Sequence, residues 1–179
     1  MKDSIRKNYV LAFGLAVFGI VFGILSKLGD VAIQGNVLGD ILYAFGSVTS
    51  GFFIWVVVCT GISFLSKTRV LSVINILVFL IAMLLAYYMY SYFVVNYLVL
   101  KVVKFWIIML IPSAVLGCII WNIKTNRILK YIVLTTGTFI MIFDMIVRGL
   151  FPIAMIIYAV LYVVFFMLTM SKSKYFNKS

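Results

Sequence analysis

VLSVINILVFLIAMLLAYYMYSYFVVNYLVL, residues 70–100, runs for 31 residues without one charged side chain. A helix of about 20 mostly apolar residues crosses the hydrocarbon core of a bilayer, so this run is long enough to span it. Reading outward, further charge-free runs occupy residues 8–26, 41–66, 105–123 and 149–171, and another extends from 131 through Asp144 to Val147. The strict alternation of a membrane strand is absent. The pattern predicts an all-α polytopic membrane helix bundle. Its six transmembrane helices are expected at about 8–26, 46–65, 71–95, 104–123, 128–147 and 151–171, within a single integral-membrane domain covering 1–179.

Composition agrees. Apolar residues make up 66% of the chain and charged residues 11%, too little charge to cover a soluble surface. The net charge of +11 raises nucleic acid as a partner, but the distribution of the charge assigns it another role. Sorted by alternate loops, eleven basic residues, among them Lys2, Arg6, Lys7, Arg127, Lys172 and Lys178, fall on one side. Only Lys27, Lys101, Lys104 and Arg148 fall on the other. The positive-inside rule then makes both termini cytoplasmic. Nucleic-acid binding is not expected, and the location predicted is a bacterial plasma membrane, crossed several times. Lys2, Arg6 and Lys7 before an apolar run also fit a signal peptide. No small-residue cleavage pattern follows, so the segment is kept as the first helix.

The acids sort outward: Asp30, Asp40 and Asp144 fall opposite the basic face. An outward loop, 27–45, carries Asp30, Gln34, Asn36 and Asp40, with Asp40 expected to cap a helix that starts at Ile41. Tyr87, Tyr88 and Tyr90 surround the outer end of the third predicted helix. They serve either as an interfacial belt or as the wall of an outward pocket. Asp144 and Arg148 stand four apart, acid first, as an intrahelical pair would, and are read either as an anchor or as a functional ionisable site. In the first helix Ala12, Ala16, Gly19 and Gly23 share one small-residue face. That face suits close approach of another helix, from the same chain or from a partner membrane protein. Trp106 and Trp121 bracket the fourth helix as interface anchors, and Pro112 between them should bend it. Thr135, Thr136 and Thr138 are expected to bond their own helix.

Much chemistry is excluded by what the chain lacks. It has no histidine and no glutamate, so His-type zinc sites and Ser-His-Asp or Cys-His catalysis miss a member. Asp40 and Asp144 sit at the membrane edge, outside the Gly-x-Gly-Asp context of an intramembrane aspartyl protease. Cys59 and Cys118 lie in apolar runs as core residues. The expectation is a non-enzyme with no cofactor and no metal.

Residues 78–90, VFLIAMLLAYYMY, followed by Trp106, Pro112 and WNIK at 121–124, resemble an uncharacterised family of small six-helix bacterial membrane proteins. That likeness carries no activity with it. Six helices, internal termini and the AFGLA stretch at 12–16 are also similar in architecture to the substrate-binding S-components of energy-coupling factor transporters. This second resemblance implies a first helix that docks a coupling subunit and a first loop that closes over substrate.

Two readings of function follow. One is a binding or transport subunit for a small zwitterionic or cationic solute. Its outward site would be bounded by Asp30, Gln34, Asn36, Asp40, Tyr87, Tyr88, Tyr90, Asp144 and Arg148. The other is an accessory protein that regulates a partner through Ala12, Ala16, Gly19 and Gly23. Both have the lipid bilayer as their surroundings.

Overall fold

A computed structural model describes residues 2–148 and 152–170 as seven α-helices, with no strand among the described residues. They are α1 (Lys2–Asp30), α2 (Val37–Thr49), α3 (Phe52–Leu65), α4 (Arg69–Phe93), α5 (Leu100–Asn122), α6 (Arg127–Arg148) and α7 (Pro152–Met170). Five of these, α1, α4, α5, α6 and α7, are long and apolar enough to cross a membrane, and the bent pair α2–α3 qualifies as a sixth crossing. Counted with the bent pair as one span, six crossings return the chain to the face it started from. The expected turn at 149–151 and the basic residues Lys172, Lys174 and Lys178 lie outside the described residues.

The second crossing differs from the expected straight helix. α2 and α3 meet at 75°. With 14 residues, α3 is about 21 Å long at 1.5 Å per residue, well short of the ~30 Å hydrocarbon core. With α3 across the bilayer, α2 therefore runs close to the membrane plane, over the end of the bundle that carries Asp30 and Arg148. The expected outward loop at 27–45 shrinks accordingly to residues 31–36. α1 continues to Asp30, and α2 begins one residue after Asn36.

Local chemistry explains the start of α2. Asn36, in an extended conformation, caps the helix by accepting a hydrogen bond from the Gly39 amide at 2.7 Å. Asp40, expected as that cap, sits in the first turn and accepts from the Gly35 amide at 3.2 Å. Gly35 has φ +124°, a backbone state open to glycine and strained for other residues.

Glycines set the closest helix crossings. A Cβ on Gly46 of α2 would lie 2.4 Å from the carbonyl carbon of Gly29 in α1, so the two backbones touch. On α1 a Cβ at Gly19 would lie 2.5 Å from the Phe79 carbonyl oxygen, and one at Gly23 would lie 2.4 Å from that of Met83. The small-residue face of α1 is thus covered by α4 of the same chain. Of the expected docking face, Ala12 and Ala16 are half-buried, while Gly19 and Gly23 are buried and spent on this contact. Phe22, Phe53, Phe79, Tyr158 and Phe165 fill the core between α1, α3, α4 and α7.

Candidate functional site

The break between α2 and α3 exposes backbone groups that helices normally satisfy. In a bilayer such groups need partners from protein. α3 is preceded at its cap position by Gly51, which has no capping side chain. Asp144 on α6 supplies one from 91 residues away: its Oδ2 accepts from the Phe53 amide at 2.7 Å. Phe53 is the second residue of α3, the amide that a capping oxygen ordinarily takes. One turn further along α6, Arg148 donates to the carbonyl of Ser47 at 3.1 Å and to that of Ser50, at the C-terminal end of α2.

An anion therefore sits at the positive end of one helix and a cation at the negative end of the other, the favourable sense for both dipoles. The expected intrahelical pair is replaced by this arrangement, because each side chain finds a better partner in the broken helix than in its neighbour. Gly51 leaves the space: a Cβ there would lie 2.8 Å from Asp144 Oδ2 and 2.6 Å from the Tyr158 hydroxyl.

Asp30, at the end of α1, joins the same region. It accepts from the Tyr87 hydroxyl of α4 and from Ser50 Oγ, the latter at 3.2 Å. The Lys27 ammonium lies 5.1 Å from the centroid of the Tyr87 ring. Beneath these contacts is a small chamber of about 40 Å³ bounded by Ser26, Thr49, Ser50, Trp55, Tyr87 and Tyr88. Four polar atoms around the break are buried without a hydrogen-bond partner: Trp55 Nε1, the Tyr88 and Tyr158 hydroxyls and Arg148 Nε.

Next to the chamber, and sharing Trp55, Met83, Leu84 and Trp106 with it, is a cavity of about 520 Å³. Its walls come from α3, α4, α5 and α6. α5 packs on α3 and α4, whereas α6 packs on α3 and α7. The turn at 123–126 joins α5 to α6 at the end of the bundle opposite the break, and the two helices otherwise form no substantial contact, which leaves a slot between them.

The lining is apolar apart from Ser113, Thr136 and the two indole nitrogens. Phe139 and Phe143 line it yet are 68% and 58% exposed, so the slot opens sideways through the lipid-facing surface. Pro112 lies in its wall, and Ser113 donates to the Met109 carbonyl at 2.8 Å, keeping its hydroxyl occupied. Thr138 bonds the Leu134 carbonyl at 2.8 Å, as a helix threonine was expected to do.

Of the nine outer residues singled out in the sequence, Asp30, Tyr87, Tyr88, Asp144 and Arg148 gather around the break. Gln34, Asn36 and Asp40 do not join them. Asn36 and Asp40 shape the start of α2, and Gln34 is exposed. Tyr90 lines neither cavity. Sequence reasoning missed Ser50, Gly51, Trp55 and the whole slot. The signal available for the break was the small polar run Ser47, Thr49, Ser50 and Gly51, which punctuates an apolar segment.

A second polar group holds the end of the bundle opposite the break. Ser72 bonds Ser63 Oγ at 2.8 Å and the Gly117 carbonyl at 3.2 Å, and Asn75 bonds Ser66 Oγ at 3.0 Å. The Lys124 ammonium donates to the carbonyls of Ser66 at 2.7 Å and Phe64 at 3.3 Å, at the C-terminal end of α3. Burial pushes this ammonium down to about 8. All of its partners are structural, and no group of metal-ligating side chains occurs among the described residues.

No protein-family model, curated protein or solved structure matches the chain.

Proposed function

We propose that this multi-pass membrane protein binds the alkyl chain of a lipid or lipid-like molecule, taken up sideways from the outer half of the bilayer. The observation that carries the reading is the slot between α5 and α6, large, apolar and open to lipid. A cavity of 150 Å³ suits benzene, about 25 Å³ per carbon, so 520 Å³ accommodates about twenty carbons, one long chain. Along α5 the lining runs from Trp106 to Leu116, about 15 Å, which is the hydrocarbon depth of one leaflet, half of ~30 Å.

The charge distribution supports the outer leaflet, because Trp106 belongs to the end of α5 opposite the basic face. The reading keeps the idea of an outward binding or transport subunit and changes the ligand. A charged, water-soluble solute finds little in an apolar slot to offset its lost hydration.

The test uses a phosphatidylcholine with dibrominated acyl chains, whose bromines quench indole fluorescence on contact. Titrated into the protein in maltoside micelles, it should quench Trp55 and Trp106 saturably, as one site. Leu110→Phe with Ile140→Phe fills the slot and should remove the saturable part. Quenching that rises linearly with lipid in both proteins would refute the reading.

A further inference from the structure

We infer that the small polar chamber at the outer end of the slot holds a carbonyl oxygen, that of an acyl ester or carboxyl group at the head of the bound chain. This rests on the reading of the slot as an alkyl-chain site and adds what the ligand carries at its polar end.

The chamber and the slot meet at Trp55 and Trp106, so a chain in the slot ends against the chamber. At about 40 Å³, against about 10–15 Å³ for a single water, the chamber has room for a small polar group such as a carbonyl. Most hydroxyls there already give their protons to the protein. Ser26 donates to the Phe22 carbonyl at 2.8 Å, Thr49 to the Gly46 carbonyl at 3.0 Å, and Tyr87 to Asp30.

What is left over is one kind of group. Trp55 Nε1 and the Tyr88 hydroxyl are buried donors without an acceptor. An indole N–H can only donate, and a carbonyl oxygen has two lone pairs to receive one bond from each ring. A plain hydrocarbon end would leave both donors unmet, which is costly in a low-dielectric site. Depth agrees as well, since acyl carbonyls mark the edge of the hydrocarbon layer, where a slot one leaflet deep has its outer end.

The experiment compares two probes with the same dibrominated eighteen-carbon chain, a fatty-acid methyl ester and the hydrocarbon, in maltoside micelles that carry no ester. Quenching of Trp106 reads the affinity of each. Each hydrogen bond contributes about fivefold, so the wild-type protein should bind the ester about twenty-five-fold more tightly than the hydrocarbon. Tyr88→Phe and Trp55→Phe should each cut that ratio about fivefold, and Tyr88→Phe, whose ring lines the chamber and not the slot, should leave hydrocarbon affinity in place.

Equal affinities in the wild-type protein, or an ester preference that survives both substitutions, would overturn the inference while leaving the slot intact. If neither probe quenches saturably, the slot reading fails and the carbonyl site falls with it.

Discussion

Replacing Asp144 by alanine tests the break in the second crossing most directly. The carboxylate is buried, 2% exposed, and accepts the Phe53 amide at 2.7 Å. A hydrogen bond to a charged group is worth about 1.5–3 kcal/mol. Truncation also leaves the N–H buried and unpaired, which costs about 1–3 kcal/mol. These contributions overlap, because the same amide enters both. Neutral hydrogen bonds between membrane helices average only ~0.6 kcal/mol, which pulls the sum down.

The expected loss is about 3 kcal/mol, more than a hundredfold in the folded-to-unfolded ratio. For a chain of this length that lowers Tm by about 6–12 °C. Asp144→Asn keeps an oxygen for the Phe53 amide and loses only charge, so it should give roughly half the effect. The assay is thermal unfolding in micelles, followed by survival of the monodisperse chromatographic peak. Hydrogen exchange at the Phe53 amide supplies a local readout, and it should accelerate in the alanine variant. A stability within 0.5 kcal/mol of wild type, with that amide still protected, would refute the capping role; surface changes away from special features stay in that range.

Other outcomes follow from the same geometry. Gly46→Ala brings a methyl to 2.4 Å from the backbone of α1 and should cost about 1–3 kcal/mol. Gly14→Ala, with nothing within 4 Å of the added carbon, should be neutral or stabilising by up to about 1 kcal/mol; equal effects in thermal unfolding would contradict the crossing. Lys124, held at about 8 by burial, loses its charge as pH rises through that value. At pH 8 about half of it is the neutral amine, against less than about 1% of an ordinary lysine. Peptide mass spectrometry after brief acylation at pH 8 should show Lys124 modified ahead of Lys101, and equal rates would count against the shift.

Most of the crossings were legible because charge-free runs bounded by lysine and arginine leave little choice. The first helix, expected at 8–26, extends further at both ends, since its flanking Lys7, Lys27 and Asp30 tolerate helix at the interface. The second crossing was not legible. Residues 41–66 read as one apolar run, and the groups that stabilise a 75° bend there come from Asp144 and Arg148, far along the chain. Hydropathy also made residues 27–45 look like a loop. Gly29, Gly35, Gly39 and Asp40 lower the average, yet Gly29 and Gly39 allow close backbone packing. The slot was invisible for another reason: residues facing a lipid-filled space have the same composition as residues facing lipid.

The capping of α3 by a residue 91 positions later has a consequence for how the chain is made. Synthesis runs from the N-terminus, so α3 leaves the ribosome long before Asp144 exists. Until α6 is inserted, the amide of Phe53 and the carbonyls of Ser47 and Ser50 lack their final partners. They must stay near water or the insertion machinery rather than in lipid. α1 can close on α4 as soon as α4 is made, and α5 can join them. The short second crossing can reach its final depth only once α6 has arrived, and α7, which packs on both α2 and α3, completes its surroundings.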